Sequence, residues 1–180
     1  MAAVCVFCGS STVLERRWLD LAAEVGAALA TRKHVLVSGG GRVGMMGAVA
    51  TAARAGGGHT VGVIPQSLVD LEVADTDADE LVVTEGMAAR KTVMIDRSDA
   101  FLVLPGGLGT LDELFEVWTL GTLGLHDKPI VLLDADGFYT DLMTWLDGLA
   151  RQRFVGVSGM SLIRVVSTVD RALDVIEQLG

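Results

Sequence analysis

The sequence predicts an α/β fold, with a parallel sheet of about seven strands covered by helices on both faces. Two observations carry this prediction. Short apolar runs rich in Val, Ile and Leu alternate along the chain with longer segments of helical period. In addition, Pro65, Pro105 and Pro129 each fall where an apolar run begins or ends, so no proline interrupts an element.

The apolar runs are too short to form helices and are therefore predicted as strands. They span residues 3–8, 34–37, 60–64, 80–83, 100–104, 130–133 and 162–166. Between them, apolar residues recur at helical spacing. The helices predicted from this spacing span residues 13–32, 43–55, 86–97, 110–123, 138–151 and 168–179. The connections are short and no Pro- or Ser-rich linker occurs, so we expect one domain over residues 1–180.

The composition of the chain disfavours two classes of binding partner. Asp and Glu number 23 against 14 Lys and Arg, and the net charge of -9 disfavours nonspecific attraction to nucleic acid or to an anionic membrane. No apolar run is long enough to cross a bilayer, and residues 1–11 lack the basic region of a signal peptide, so we expect a cytoplasmic protein.

Hydrophobic residues make up 51% of the chain, and the helix predicted over 110–123 is apolar around much of its circumference. This excess predicts a twofold interface between two copies of the chain.

The two cysteines, Cys5 and Cys8, form a Cys-x-x-Cys pair of the kind that redox and metal sites use. They lie in the first predicted strand, where residues three apart point to opposite faces of the sheet. A zinc site would need two further ligands that this part of the sequence lacks. We therefore expect buried structural cysteines and no metal site.

Ligands of open parallel sheets bind outside the carboxyl ends of the strands, where loops lead into helix N-termini. A glycine-rich turn at residues 38–47 follows the second predicted strand, and Gly39, Gly41 and Gly44 formally match G-x-G-x-x-G. A dinucleotide fingerprint is disfavoured, because the turn does not follow the first strand and the next strand ends without an acid for a ribose hydroxyl. The glycines fit either a tight turn packed on a helix or an anion at a helix N-terminus.

A second glycine-rich turn follows the fifth predicted strand and is more specific. A phosphate could accept hydrogen bonds from the N–H groups of Gly107, Leu108, Gly109 and Thr110 and from the Thr110 hydroxyl. No lysine follows as in a Walker A loop, which disfavours γ-phosphoryl transfer but not monophosphate binding. Thr110 and Glu113 also fit a capping box, in which their side chains only satisfy backbone amides. The residues alone leave both interpretations open.

Arg90 and Lys91 form an abrupt basic pair after a long acidic stretch that contains no Lys or Arg. At helical spacing, Arg90 shares a face with Met87 and Met94, which would otherwise be assigned to the core. An arginine on such a face either extends to solvent or pairs with an acid. The alternative is that Arg90 faces the second glycine-rich turn and an anion held there.

Taken together, these segments resemble the LONELY GUY (LOG) family of cytokinin-activating phosphoribohydrolases, whose members have often been labelled lysine decarboxylases. The most specific feature is P-G-G-x-G-T-x-x-E with an upstream R-K pair. The matching segments run in family order from about residue 4 to residue 154 and read VFCGSS (6–11), GGGRVGMMG (39–47), VIP (63–65), MAARK (87–91), SDAF (98–101), PGGLGTLDE (105–113) and LHDKPI (125–130).

The resemblance implies a Rossmann-like, doubly wound fold, usually a homodimer, that needs no cofactor. It implies hydrolysis of the N-glycosidic bond of a nucleoside 5′-monophosphate to free base and ribose 5-phosphate. Substrates in the family include cytokinin riboside monophosphates and, in many bacterial members, AMP. Arg90 and Glu113 match the family's essential pair. The residues expected to contact substrate are Gly9, Ser10, Gly40, Gly41, Glu72, Met87, Lys91, Gly106, Gly107, Leu108, Gly109 and Thr110.

The chemistry of that reaction fits these residue types. Cleavage passes through an oxocarbenium-like ribosyl cation, which a carboxylate such as Glu113 could stabilise, or Glu113 could act as base towards water. Arg90 is a permanent donor that could hold the phosphate, orient Glu113 or stabilise the leaving base. Lys91 would be a second cation beside the same loop. Glu72 could contact the base, although it is equally compatible with a solvated surface acid.

Two positions depart from the family pattern. Ala88 stands where members usually have His in M-H-x-R-K, and Thr122 stands where many have Gln. Both departures bear on base preference rather than on reaction type. The one at Ala88 also keeps open a second hypothesis, a nucleotide-binding or sensing module without turnover. Lysine decarboxylation is disfavoured, because pyridoxal phosphate needs a Schiff-base lysine and Lys33, Lys91 and Lys128 have no recognisable pyridoxal context.

Overall fold

The computed structural model describes residues 1–71 and 73–180, and its described residues confirm the predicted α/β fold. One sheet of seven strands is parallel at every pairing. The strands β1 to β7 are Ala3–Phe7, Val35–Ser38, Thr60–Pro65, Glu80–Thr84, Ala100–Val103, Ile130–Leu133 and Ile163–Val166. Their spatial order is β4-β3-β2-β1-β5-β6-β7. The order reverses between β1 and β5, which makes this pair the switch point of a doubly wound sheet.

The predicted helices are all present within a few residues of their expected bounds. In chain order, the helices α1 to α8 of the described residues are Arg16–Thr31, Gly44–Ala55, Gln66–Val69, Met87–Asp96, Leu108–Thr122, Thr140–Arg151, Val157–Met160 and Val169–Leu179, with a 3₁₀ turn at Ala135–Gly137. The sequence did not predict α3 and α7, because four residues are too few to display a helical period. In the part of the chain that is described, no helix is both long and apolar enough to cross a membrane.

Apolar side chains form two buried clusters, one on each face of the sheet. One cluster includes side chains of α1, α2 and α8, and the other includes side chains of α4, α5 and α6. Along β1, Val4 and Val6 belong to the first cluster while Cys5 and Phe7 belong to the second. Both faces of the strand are therefore covered, which explains its unbroken apolar sequence. Cys8 lies in the first cluster, so the two cysteines are free, buried and on opposite faces, as predicted.

Helices α1 and α2 pack closely where α1 carries Gly26. A Cβ atom at this position would lie 2.2 Å from the Val49 carbonyl oxygen and 2.9 Å from the Ala53 backbone nitrogen. Both neighbours are backbone atoms, so they cannot give way without moving α2. The glycine therefore allows the two helix backbones to approach each other.

This packing predicts opposite effects for two glycine-to-alanine substitutions in helices. Gly148→Ala in α6 should stabilise the protein by up to about 1 kcal/mol, because alanine favours helix and the nearest atom to its Cβ is the flexible Arg151 side chain at 3.8 Å. Gly26→Ala should destabilise it by about 1 to 3 kcal/mol through overpacking. Urea unfolding of both variants measures the difference, and a gain in stability for Gly26→Ala would contradict the close packing.

Candidate active site

Three loops meet at the carboxyl edge of the sheet, beside the switch point between β1 and β5. The loop after β1 contains Gly9, whose N–H donates to the Pro105 carbonyl oxygen at 3.1 Å in the loop after β5. The Gly9 carbonyl oxygen accepts from the Met45 N–H at 2.9 Å, at the start of α2. Gly9 thus joins the loop after β5 to the helix that follows the first glycine-rich turn. The crevice between the loop after β5 and the start of α2 is the place where open α/β sheets bind ligands.

A cavity of about 480 Å³ occupies this crevice. One wall is the N-terminus of α5 with its preceding loop, from Gly106 to Thr110, and Gly9 and Ser10 line the same cavity. Arg90 and Glu113 also line it. Of the sequence-predicted site residues, the structure brings these nine together.

The N-terminus of α5 is suited to bind an anion. Gly107, Leu108 and Gly109 are exposed, and the N–H groups of the first turn have no partner within the helix. The helix dipole adds partial positive charge at the same place. A Cβ atom at Gly106 would lie 2.0 Å from the Thr110 hydroxyl oxygen, so the glycine leaves room for this buried threonine against the loop.

The capping-box interpretation of Thr110 and Glu113 is wrong. Helix α5 begins at Leu108, two residues earlier than predicted, and Gly107 is its N-cap residue without a side-chain cap. The Leu111 N–H donates to the Gly107 carbonyl oxygen at 3.0 Å and closes the first turn. Thr110 and Glu113 therefore lie inside the helix and line the cavity instead of capping its end.

Arg90 neither extends to solvent nor pairs with an acid among the described residues. Only 5% of the residue is exposed. Its Nε donates to the Val63 carbonyl oxygen at 3.0 Å and its Nη2 donates to the Gly39 carbonyl oxygen at 2.9 Å. Its Nη1 lies 3.7 Å from the Met87 sulfur. A Cβ atom at Gly39 would lie 1.6 Å from Nη2, so only glycine leaves space for the guanidinium in this position.

Glu113 titrates near neutral pH. The pKa of its carboxyl is raised to about 7, chiefly by burial; Arg90 and Lys91 lower it, and the negative charges of Asp112 and Glu116 raise it. A carboxyl with this pKa is a substantial fraction ionised at pH 7. It can therefore serve as a general base or as a stabilising carboxylate at that pH.

Lys91, expected as a substrate-binding cation beside the second glycine-rich turn, does not line the cavity. Its Nζ pairs with the Asp112 carboxylate at 2.9 Å and with the Glu116 carboxylate at 2.5 Å. Successive residues on a helix point about 100° apart, so α4 can direct only one of the two adjacent cations into the cavity. Lys91 instead neutralises the two acids that flank Glu113 on α5.

Three more predicted substrate contacts are not part of the cavity wall. Gly40 and Gly41 lie in the first glycine-rich turn behind Arg90, where Gly40 has a φ of +68° and the Gly41 N–H donates to the Met46 sulfur at 3.1 Å. Met87 contacts Arg90 through its sulfur, as described above, rather than lining the cavity. Glu72 lies outside the described residues.

One wall of the cavity is apolar, and the sequence did not predict it. Trp18 and Phe138 meet edge to face with ring centroids 5.5 Å apart, and the Arg17 guanidinium lies 4.4 Å from the Trp18 ring centroid. This wall consists of Leu14, Trp18, Met45, Met46 and Phe138. Phe138 follows β6, whose loop also lies at the carboxyl edge of the sheet. That position was the available signal for Phe138, and Trp18, in the first turn of the helix that follows β1, carries the same signal.

Among the described residues, neither a metal-binding cluster nor a lysine that lines the cavity is found. No group of three or more His, Cys, Asp or Glu residues is placed to hold a metal ion there. None of Lys33, Lys91 and Lys128 lines the cavity. The Lys128 Nζ donates to the Ile95 carbonyl oxygen at 2.7 Å, before the starts of β6 and β5 and so at the edge of the sheet opposite to the glycine-rich turns.

Comparison with known proteins identifies relatives over nearly the whole chain. A family model described as "Possible lysine decarboxylase" matches residues 46–176. A cytokinin riboside 5′-monophosphate phosphoribohydrolase of Mycobacterium tuberculosis is 57% identical over 170 residues, which cover 94% of this chain and 90% of that protein. An Arabidopsis thaliana protein of the same name is 39% identical over 175 residues, covering 97% and 81%.

Solved structures share the fold at lower identity. The molybdenum cofactor carrier protein of Chlamydomonas reinhardtii is 25% identical with a TM-score of 0.74, covering 98% of this chain and 96% of that one. The molybdenum cofactor binding protein of Rippkaea orientalis is 24% identical with a TM-score of 0.73, covering 98% and 95%.

The raised pKa of Glu113 predicts a pH-dependent cost in stability. Between its ordinary pKa of 4.5 and about 7, the folded protein retains a proton that the unfolded chain has released, so stability falls as the pH rises through this window. At pH 8, Glu113→Gln should therefore raise the free energy of unfolding by about 1 to 3 kcal/mol, and the gain should shrink towards pH 4.5.

Urea unfolding from pH 4.5 to pH 8 measures this effect. Glu24→Gln is a matched control, because Glu24 is an exposed glutamate on α1. Its stability difference from the wild type should not follow the same titration. A Glu113→Gln difference that stays constant over this pH range would contradict the raised pKa.

Proposed function

Since this chain belongs to the family of cytokinin riboside 5′-monophosphate phosphoribohydrolases, we propose that its cavity beside β1 and β5 is the site of that hydrolysis. The enzyme cleaves the N-glycosidic bond of nucleoside 5′-monophosphates and releases free base and ribose 5-phosphate. Cytokinin riboside monophosphates and AMP are the substrates we propose. The observation that carries the assignment is one cavity lined by an exposed helix N-terminus, a buried arginine and a carboxyl with a pKa of about 7.

The 5′-phosphate binds at the N-terminus of α5 in this proposal. The N–H groups of Gly107, Leu108, Gly109 and Thr110 point out of the first turn, and the Thr110 hydroxyl adds a further donor. Gly9 and Ser10 line the cavity beside this terminus. In a chain with a net charge of -9, a small anion depends on such local donors, and the same charge disfavours nucleic acid as a partner.

Glu113 and Arg90 act at the bond that breaks. The bond between the ribose anomeric carbon and the base nitrogen breaks, and its electron pair leaves with the base, which takes up a proton from solvent. Water adds to the anomeric carbon and gives its proton to the Glu113 carboxylate. The same carboxylate stabilises the positive charge that develops on the ribose. Arg90 is permanently charged, so it orients Glu113 or stabilises the leaving base but does not donate a proton.

The base faces the apolar wall. This wall holds Trp18 and Phe138, whose aromatic rings offer flat apolar surface to a purine base. Gly40 and Gly41 contribute indirectly, as parts of the turn whose Gly39 carbonyl accepts from Arg90, and Met87 contributes through the contact of its sulfur with Arg90. Lys91 contributes by neutralising Asp112 and Glu116, whose charges would otherwise raise the pKa of Glu113 further.

We also propose that the enzyme is a cytoplasmic homodimer. Several large apolar side chains around the end of α5 and around α7 are strongly exposed in the single chain: Leu123 (67%), Leu125 (68%), Phe154 (79%) and Val157 (85%). Contiguous exposed apolar surface of this kind is typical of protein interfaces. A second copy of the chain packed on this face would bury it, in line with the 51% hydrophobic content.

Base release tests the proposed site. Incubation with AMP or isopentenyladenosine 5′-monophosphate should release free base and ribose 5-phosphate, measured by liquid chromatography. Glu113→Gln should lower kcat by about 100-fold or more, because it removes the carboxylate. Wild-type kcat/KM should fall about tenfold per pH unit below about pH 7, since Glu113 must be ionised.

Glu24→Gln again serves as the control and should retain wild-type kinetics. Equal activity of folded Glu113→Gln and wild type would refute the role of Glu113. If nucleotides bind tightly while no base is released from any nucleoside monophosphate, the chain is a nucleotide-binding module instead.

Sedimentation tests the oligomeric state. At micromolar concentration the protein should sediment at about twice the mass of the 18.9 kDa chain. Leu123→Glu should shift it towards the monomer by placing a charge in the apolar face. Leu179→Glu, at an exposed position on α8, should not. A wild-type protein that sediments only as an 18.9 kDa species would exclude the homodimer.

A further inference from the structure

The loop between β3 and β4 is rich in acids, but one of them does not behave as a surface acid. The Asp75 side chain is only 7% exposed. Its two carboxylate oxygens accept hydrogen bonds from the two terminal nitrogens of Arg54 on α2, at 2.8 Å and 3.2 Å. Paired bonds between a guanidinium and a carboxylate fix both the distance and the relative orientation of the two groups.

Backbone hydrogen bonds connect this ion pair to the first glycine-rich turn. The Asp75 N–H donates to the Gly40 carbonyl oxygen at 2.8 Å, and the Arg42 N–H donates to the Val73 carbonyl oxygen at 2.9 Å. Between these two bonds, Gly41 and Ala74 form an antiparallel bridge. The loop therefore lies along the turn and is fixed to α2 by the ion pair.

The first glycine-rich turn also contacts Arg90. The Gly39 carbonyl oxygen accepts from Arg90 Nη2, and Gly40 adopts a φ of +68° while packing against β3. Three consecutive glycines have many accessible conformations, so their sequence does not by itself define the direction of the Gly39 carbonyl. Contacts from outside the turn must restrict it, and the Asp75 loop supplies them.

We propose that Asp75 is a positioning residue for the hydrolysis. Its ion pair with Arg54 fixes the turn at Gly39 to Gly41 and thereby directs the Arg90 guanidinium towards the cavity. The inference rests on the proposed role of Arg90. Asp75 itself does not line the cavity, so it acts only through the turn.

Comparison of Asp75→Asn with Asp79→Asn tests this proposal. Asp79 lies in the same loop, but its carboxylate accepts from the Thr60 N–H at 2.8 Å and from the Thr60 hydroxyl at 2.9 Å, at the start of β3. Both variants should lower the Tm. Only Asp75→Asn should lower kcat for AMP, by about 10- to 100-fold, because the reacting groups are misaligned. Its KM should stay within about threefold, since phosphate binding at α5 does not depend on the turn.

Two further readouts separate positioning from a general loss of structure. Displacement of Arg90 should move the acid limb of the kcat profile to higher pH for Asp75→Asn and not for Asp79→Asn, because Arg90 lowers the pKa of Glu113. The other charged groups that act on Glu113 are Lys91, Asp112 and Glu116, and neither substitution touches them. In an Arg90→Lys background, Asp75→Asn should lower kcat by less than about twofold, because the group it positions is already altered.

If Asp75→Asn does not fold, Arg54→Lys provides the same test, because it keeps the charge and removes the paired geometry. Equal kcat for the Asp75 and Asp79 variants, or a full additional loss of kcat in the Arg90→Lys background, would overturn the proposal while the role of Arg90 stands. Wild-type kcat in Arg90→Lys would overturn the role of Arg90 and the positioning together.

Discussion

The structure depends most on the way in which Arg90 is buried. A cation removed from water costs several kcal/mol unless hydrogen bonds replace its hydration. Two backbone carbonyl groups, from Val63 and Gly39, do so here, and no carboxylate among the described residues pairs with the guanidinium. The guanidinium therefore has hydrogen-bond acceptors for part of its N–H groups, but its charge is not neutralised. The positive charge of Arg90 can therefore act in the cavity, whereas an ion pair with a carboxylate would have neutralised it.

The need to replace the hydration of the buried guanidinium with hydrogen bonds explains several local features. The Gly39 carbonyl can reach the guanidinium only because no side chain stands at that position. The turn needs outside contacts to hold its carbonyls in place, and the loop around Asp75 makes them. Lys91, next in sequence to Arg90, is already occupied by Asp112 and Glu116. Among the described residues that line the cavity, positive charge therefore comes from Arg90 and from the N-terminus of α5, against a net charge of -9 for the chain.

The sequence predicted the elements of the fold better than the directions of individual side chains. Strands and long helices follow from periodicity, which many residues report together. The direction of one side chain does not follow from periodicity. The predicted capping box was wrong because α5 has Gly107 as its N-cap and begins before Thr110. The sequence predicts both Arg90 and Lys91 as site residues, but only one of two adjacent helix positions can face the cavity. Asp75 was hidden among surface acids, because its partner Arg54 is far away in sequence and nothing local marks the pair.

The fold alone does not decide between binding and hydrolysis. The same doubly wound architecture occurs in the molybdenum cofactor carrier protein of Chlamydomonas reinhardtii, at a TM-score of 0.74. Its switch point provides an anion-binding crevice in any chain that places a free helix N-terminus there. Turnover needs more, namely a carboxyl that is buried enough to titrate near neutral pH and a cation close enough to keep part of it ionised. Burial and Arg90 act in opposite directions on the pKa of Glu113, and in the proposed mechanism their balance near 7 lets this carboxyl act in hydrolysis.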